Sequence, residues 1–181
     1  VSVTPNNLTD ILEIPRDRAE KWAAPLTAAC SHYGIITPLQ VAAFIAQIGH
    51  ESGRLRYVRE LGGHDYLDKY DTGQLAARLG NTPADDDDGQ FYRGRGLIMV
   101  TGHDNYKRCG LALGLDLLNH PELLEQPEHA AMSAAWFWDL HHLNQLADVG
   151  DMRGITRIIN GGYNGLGDRL SLYAKALEVL S

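Results

Sequence analysis

The chain has 181 residues, a net charge of −7, 44% hydrophobic residues and 22% charged residues. That length suits one domain with a real core and room for two lobes. The acidic balance and the lack of any basic tract leave a nucleic-acid role without support, and no apolar run is long enough to cross a membrane. The first residues, VSVTPNNLTDILEIPRDRAEKW, show no basic segment followed by an apolar run, so no signal peptide is read there. Two cysteines, Cys30 and Cys109, are too few for a disulfide framework. Cys30 reads as a small core residue, and a single bridge between the two stays open.

Thr4-Pro5 opens a first helix ending near Glu13. A second helical pattern runs from Pro15 to Tyr33, with Trp22, Leu26, Ala29, Cys30 and Tyr33 on one face. Pro25 inside it is expected to kink or divide the helix, and Gly34 is a natural stop. The next helix begins at Pro38. Thr37 stands at its N-cap and Gln40 three residues on, as in a capping box. Val41, Phe44, Ile45 and Ile48 define an apolar face, and Glu51 falls two turns beyond Phe44 on that face. Burial disfavours the charged form of a carboxyl group, and an acid still protonated near neutral pH is what a general acid needs. Glu60 lies nine positions later, among Arg54, Arg56 and Arg59 and before Gly62-Gly63. Its surroundings read as polar and solvated, suited to an ionised base. The plainer alternative makes Glu51 a helix-end ion-pair residue and Glu60 a solvated loop charge.

From Gly62 to Gly89 the pattern weakens, with a short helix expected at Thr72 to Leu79 and a solvated loop at the four aspartates Asp85 to Asp88. Gln90 to Gly102, QFYRGRGLIMVTG, reads as β-like, a hairpin bent at Gly94 and Gly96. Its G-R-G is no phosphate loop, because no GK[ST] follows. Asp104 to Gly110 reads as a short helix, and Leu111 to Leu118 is ambiguous. Pro127 starts a helix whose alanines permit close packing. Its Trp136 and Trp138 are read as core rather than as sugar-stacking residues. Asp151 caps ITRIIN, stopped by Gly161-Gly162, and Leu166, Leu170, Tyr173, Leu177 and Leu180 form a final amphipathic stripe. The sum is a mainly α (α+β) fold, a bilobed helical domain with one small β-hairpin or sheet lining a cleft.

Other chemistries fit poorly. A zinc-protease helix needs a second histidine four residues after His50, and position 54 is arginine. His50, His64, His103, His141 and His142 lack ligand spacing, so no metal and no cofactor is expected. No G-x-S-x-G elbow marks a serine hydrolase.

Four stretches together carry a resemblance: TPLQVAAFIAQIGHESG at 37–53, YRGRGLIMVTGHDNY at 92–106, AAWFWD at 134–139 and ITRIINGGYNG at 155–165. In this order they resemble the catalytic domain of glycoside hydrolase family 19, most closely its bacterial and phage endolysin-like branch. The resemblance spans most of the chain. It implies a bilobed, lysozyme-like fold, a single catalytic domain over 1–181 without a separate wall-binding domain, and metal-free inverting hydrolysis of β-1,4-linked N-acetylhexosamine polymers. Glu51, in the H-E-S motif, matches the general acid and Glu60 the general base. Thr101 matches the hydroxyl residue that helps hold the attacking water. Asn105 and Asn160 match substrate-binding asparagines, and Tyr106 and His50, within the matched motifs, join them as substrate-binding candidates. Arg169 matches more loosely an arginine that organises the second carboxylate. An inverting pair should stand roughly 6.5–9.5 Å apart, leaving room for water.

The chain also departs from the chitinase pattern. Chitinases of this family usually carry glutamine where Met99 stands and an aromatic-rich segment where Gly102-His103 stands, and the loops that lengthen a chitin cleft are shortened. These departures favour peptidoglycan over chitin. The expectation is therefore a muramidase of endolysin or lysozyme type, acting as a monomer on peptidoglycan glycan strands. A chitinase acting on chitin oligomers is the alternative within the same chemistry, and a non-catalytic glycan-binding relative the alternative from another class. Without a signal peptide it would be made in the cytoplasm and reach the wall through a holin or a secretion system.

Overall fold

A computed structural model describes residues 2–181 and carries eleven α-helices among them: α1 Pro5–Leu12, α2 Arg16–His32, α3 Pro38–Glu51, α4 His64–Leu67, α5 Gly73–Leu79, α6 Asp88–Phe91, α7 His103–Leu113, α8 Pro127–Leu140, α9 Leu143–Asp148, α10 Met152–Asn160 and α11 Leu166–Leu180. Two capping boxes set the register early. The Thr4 and Thr37 hydroxyls accept from the N–H groups of Asn7 and Gln40, whose side chains reach back to the cap N–H. Gln40 also donates to Asp148 Oδ1 at 2.8 Å, tying the start of α3 to the end of α9.

α3 is the central strut. Every residue from Gln40 to Gly49 is buried, so it is covered on all sides rather than on one apolar face. α1, α2, α8, α9, α10 and α11 contribute to the same hydrophobic cluster. At its centre the Phe44 and Trp138 rings meet edge to face, 5.3 Å apart at 81°, a geometry worth about 1 kcal/mol beyond burial. Gly49 lets helices approach closely, because a Cβ there would stand 2.6 Å from Leu12 Cδ2.

A second, smaller cluster gathers Val100, Tyr106, Cys109, Leu117 and Leu124, with Tyr92 and Trp136 packed against it. α8 is the shared wall. Trp138 faces the large cluster and Trp136 the small one.

The structure corrects several expectations. The hairpin is absent: among the described residues Arg59 pairs with Arg95, and Arg95 with Val100, only as isolated antiparallel bridges. The chain turns back over residues 96–99 immediately after Arg95, so no second rung can form, and Gln90 and Phe91 belong to α6. Pro25 does not divide α2, which runs unbroken from Arg16 to His32. Trp22 and Leu26, on either side of it, are held in the core, and that burial overrides the lost backbone bond. α11 turns Arg169, Leu172 and Ala176 inward, while Leu170 of the expected stripe is exposed. Cys30 and Cys109 lie in different clusters and are free thiols, each pushed by burial to about 12.

Candidate active site

Glu51 is the last residue of α3. Its Oε1 accepts from Arg169 Nη2 at 2.5 Å, and Arg169 is only 1% exposed. The same guanidinium donates to Gln47 Oε1 and to the carbonyl of Asn164. Gln47 in turn donates to Thr156 Oγ1 at 3.0 Å, and Thr156 donates to the Met152 carbonyl at 2.7 Å. A buried polar line thus runs from α10 through α3 to α11 and ends on Glu51. Such a line holds a side chain firmly because each member is satisfied. Arg169 therefore pairs with the first glutamate rather than the second. Fully buried, it positions Glu51 and is not itself a sugar contact.

The turn after Glu51 is tightly built. Gly53, Arg54 and Leu55 all take positive φ, at 58°, 64° and 59°, and for the two non-glycine residues that conformation costs about 1–2 kcal/mol each. Three contacts hold it. Ser52 Oγ donates to the Ile48 carbonyl and accepts from Leu55 N–H. Leu55 is buried in the large cluster. Arg54 makes a two-pronged pair with Asp168 at 2.9 and 2.6 Å. His50 Nδ1 meets the same carboxylate at 2.6 Å. The Arg54 bond first, and the His50 bond after it, hold Asp168 down to about 2 against the opposing effect of burial. The Cε1–Nε2 edge of His50 lies against Gly165, where a Cβ would stand 2.1 Å from the ring. His50, expected at the substrate, is engaged instead in joining α3 to α11.

Glu60 is held differently. Its Oε1 accepts from the Tyr70 hydroxyl at 3.0 Å, and its Oε2 accepts from Gly94 N–H at 3.3 Å. Burial raises Tyr70 above the ordinary phenol range, which keeps that hydroxyl a donor. Lys69 Nζ stands 3.7 Å from Glu60 Oε1 and lies over the rings of Tyr66 and Tyr70, at 3.5 and 4.6 Å. The Glu60 backbone N–H donates to the Gly94 carbonyl, and Gly96 N–H donates to the Val58 carbonyl. These bonds stitch the 55–60 loop to the 94–100 turn. Gly94 keeps this meeting point open: a Cβ would stand 3.2 Å from Glu60 Oε2, 3.1 Å from Thr101 Oγ1 and 3.0 Å from Met99 Cβ, close enough to push each by a few tenths of an ångström. The same contacts place Thr101 beside Glu60.

Asn105 donates to the Thr101 carbonyl at 2.8 Å, which leaves its amide oxygen to a ligand. Asn160 ends α10 and accepts from Asn164 N–H, which leaves its amide NH2. Thr101 and Asn105 line a small cavity of about 80 Å³ with Met99, Arg108, Trp136 and Phe137. Tyr106 is not at this surface. It is fully buried, donates to the Arg93 carbonyl and accepts from Arg95, and so acts as a strut under the turn. Sequence reasoning missed Gln47, Asp168, Tyr70 and Gly94. Gln47 sits one turn before Glu51 and was readable from that spacing; no signal marked Tyr70.

Two groups of side chains have metal-ligand chemistry, Asp71 with Asp86 and Asp88, and His64 with Asp65 and Asp68. The first is occupied by the loop itself: Asp71 accepts from Gly89 and Asp86 N–H, and Asp88 from Thr82 N–H. The aspartate run is thus partly built into the fold rather than wholly solvated.

The chitinase class I family, glycoside hydrolase family 19, matches residues 29–147. A glycosyl hydrolase family 19 domain-containing protein of Haemophilus influenzae is 34% identical over 85% of this chain and 86% of its own length. Endochitinase At2g43620 of Arabidopsis thaliana is also 34% identical, over 73% of this chain, but this chain covers only 42% of that protein. Among solved structures, a bacterial family 19 chitinase superposes over 100% of this chain and 96% of its own, with a TM-score of 0.76 at 23% identity. Chitinase C of Streptomyces griseus HUT6037 superposes over 99% of this chain and 76% of its own, with a TM-score of 0.73 at 26% identity. With most of its length matched in sequence and all of it in fold, the chain belongs to glycoside hydrolase family 19.

Proposed function

We propose that this chain hydrolyses the β-1,4 glycosidic bonds of peptidoglycan strands with inversion, as a muramidase. The observation that carries the reading is the contrast between the two glutamates. One is clamped by a buried guanidinium at a helix end. The other is bonded by a phenol and a backbone N–H, with a threonine hydroxyl beside it. Glu51 gives its proton to the leaving glycosidic oxygen as the C1–O bond breaks. Glu60 takes a proton from a water that attacks C1 from the opposite face. Thr101 Oγ1 fixes that water, and the free halves of the Asn105 and Asn160 amides meet N-acetyl or hydroxyl groups. The substrate assignment rests on Met99 and on Gly102-His103, which replace residues typical of chitin clefts. Chitin is the second reading, favoured by the endochitinase names of several relatives.

The acting form is a monomer, and access to the wall comes from a holin or a secretion system. The test is mass spectrometry of soluble products from purified peptidoglycan and from chitin oligomers, each with and without EDTA. Muropeptides ending in reducing, hydrated N-acetylmuramic acid, formed equally with EDTA, support the proposal. Chito-oligomers alone move the assignment to chitinase. Cleaved stem peptides on intact glycan overturn the glycosidase reading.

A further inference from the structure

Next to Glu60 in the chain, Arg59 lines a pocket that the hydrolytic step does not use. It has a volume of about 540 Å³ and is walled by Arg59, Arg93 and Arg95, with Phe91, His64 and Asp87 at its other sides. Three guanidiniums around one opening are unexpected in a chain of net charge −7. Among the described residues Arg95 alone of the three pairs directly with a carboxylate, that of Glu125 at 2.8 Å. Among the described residues Arg59 and Arg93 enter no ion pair, and the one bond that the Arg93 side chain makes is to the Gln90 carbonyl. Burial first, and then Arg59 and Arg95, disfavour the charged form of Arg93, against the smaller opposing pull of Glu60 and Glu125. At the rim, His64 and Asp87 are already spent on each other at 2.7 Å. Phe91 is 45% exposed and adds an apolar surface.

The backbone fixes how this pocket relates to the base. Arg59 precedes Glu60, and Arg93 and Arg95 flank the Gly94 that bonds Glu60. The Glu60 carboxylate favours the charged form of Arg93, so the pocket adjoins the base. A ligand that fills it while the polymer lies across Glu60 is a branch of that polymer.

We propose that this arginine pocket is a subsite for the carboxylate-bearing peptide stem of peptidoglycan. Guanidiniums pair with carboxylates through two parallel bonds, and chitin offers no acidic group to them. A stem leaves the glycan sideways and extends by roughly 3.3–3.6 Å per residue, enough to reach a pocket adjoining the base. The exposed Phe91 ring meets the apolar side chains of such a stem. This inference deepens the peptidoglycan reading and rests on it.

The test uses the Arg59→Gln/Arg93→Gln double variant of the whole chain and two substrates, peptidoglycan strands with stems and the same strands with stems removed by an amidase. The expected result is that the ratio of KM for stem-bearing strands to KM for bare strands rises about tenfold, with the melting temperature unchanged. Equal losses on both substrates would make the arginines structural, and no change on either would overturn the subsite. A separate binding arm keeps the pocket distinct from the substrate assignment. A soluble disaccharide-tetrapeptide is titrated into the wild type while the arginine Nε–H signals are followed by NMR. Shifts at Arg59 and Arg93 that are absent with the bare disaccharide support the subsite even if turnover is on chitin. Their absence refutes it even if peptidoglycan is cut.

Discussion

The two glutamates are held by different kinds of structure. Glu51 stands at the end of a helix buried from Gln40 to Gly49, and a chain of buried side chains from three helices meets it. Glu60 stands on a loop, and its partners are a short 3-10 turn and the backbone of a glycine. Glu51 is thus fixed by side-chain identity in the large cluster. Glu60 is fixed by where the backbone runs beside the small one. Substitutions on the Glu51 side should act through charge and burial, and those on the Glu60 side through small displacements.

The largest effect should come from the glutamates. Glu51→Gln keeps an acceptor for Arg169, so folding should persist while kcat falls by about 10³ or more. Glu60→Gln should fall by roughly 10²–10³ with sugar affinity retained. Near-wild-type lysis by the Glu51 variant would dissolve the contrast. Next, Arg169→Met leaves Glu51 and Gln47 without their shared donor. It should cost about 1–3 kcal/mol in urea unfolding together with most of the activity; a loss of activity alone would show that the line from α10 is not structural. On the other side, Tyr70→Phe removes one bond to Glu60 and should lower kcat about tenfold with stability changed by less than about 1.5 kcal/mol. Gly94→Ala pushes on Glu60 and Thr101 by a few tenths of an ångström, and should also lower kcat more than stability.

The smallest effect is at Asp168. Its carboxyl is held at about 2 by Arg54 and His50, so its pairs contribute fully above the ordinary aspartate value near ~3.9 and are lost as pH falls toward 2. The group is partly exposed, so Asp168→Asn should lower the melting temperature by no more than about 4 °C at neutral pH. That difference should vanish in acid; one that persists at pH 2 would mean the pairs are not its source.

Much of the helical frame was legible because its signals are local. Thr37, Pro38 and Gln40 mark the start of α3 whatever surrounds them, and Glu51 follows by spacing. What was not legible depended on contacts far apart in sequence. The 90–102 segment has β-like residues, yet its partner Arg59 comes from a loop and offers a single rung. Arg169 reads as a charged residue on an amphipathic helix; only the meeting of α11 with α3 shows that it is buried against Glu51. Tyr106 lies in a matched motif, but the motif cannot say that its ring points down into the small cluster. The pairing of Glu60 with Tyr70 depends on how a weakly patterned stretch folds back.

The left-handed turn after Glu51 also limits how this enzyme can be improved. Glycine is the usual remedy where φ is positive, and a stability screen would look for it at positions 54 and 55. Neither site can accept it freely. Arg54→Gly relaxes the backbone but leaves Asp168 without its main partner. Leu55→Gly relaxes it equally but empties a site in the core. The strain cannot be removed one substitution at a time, so engineering for heat tolerance has to look elsewhere in the chain and leave these residues as they are.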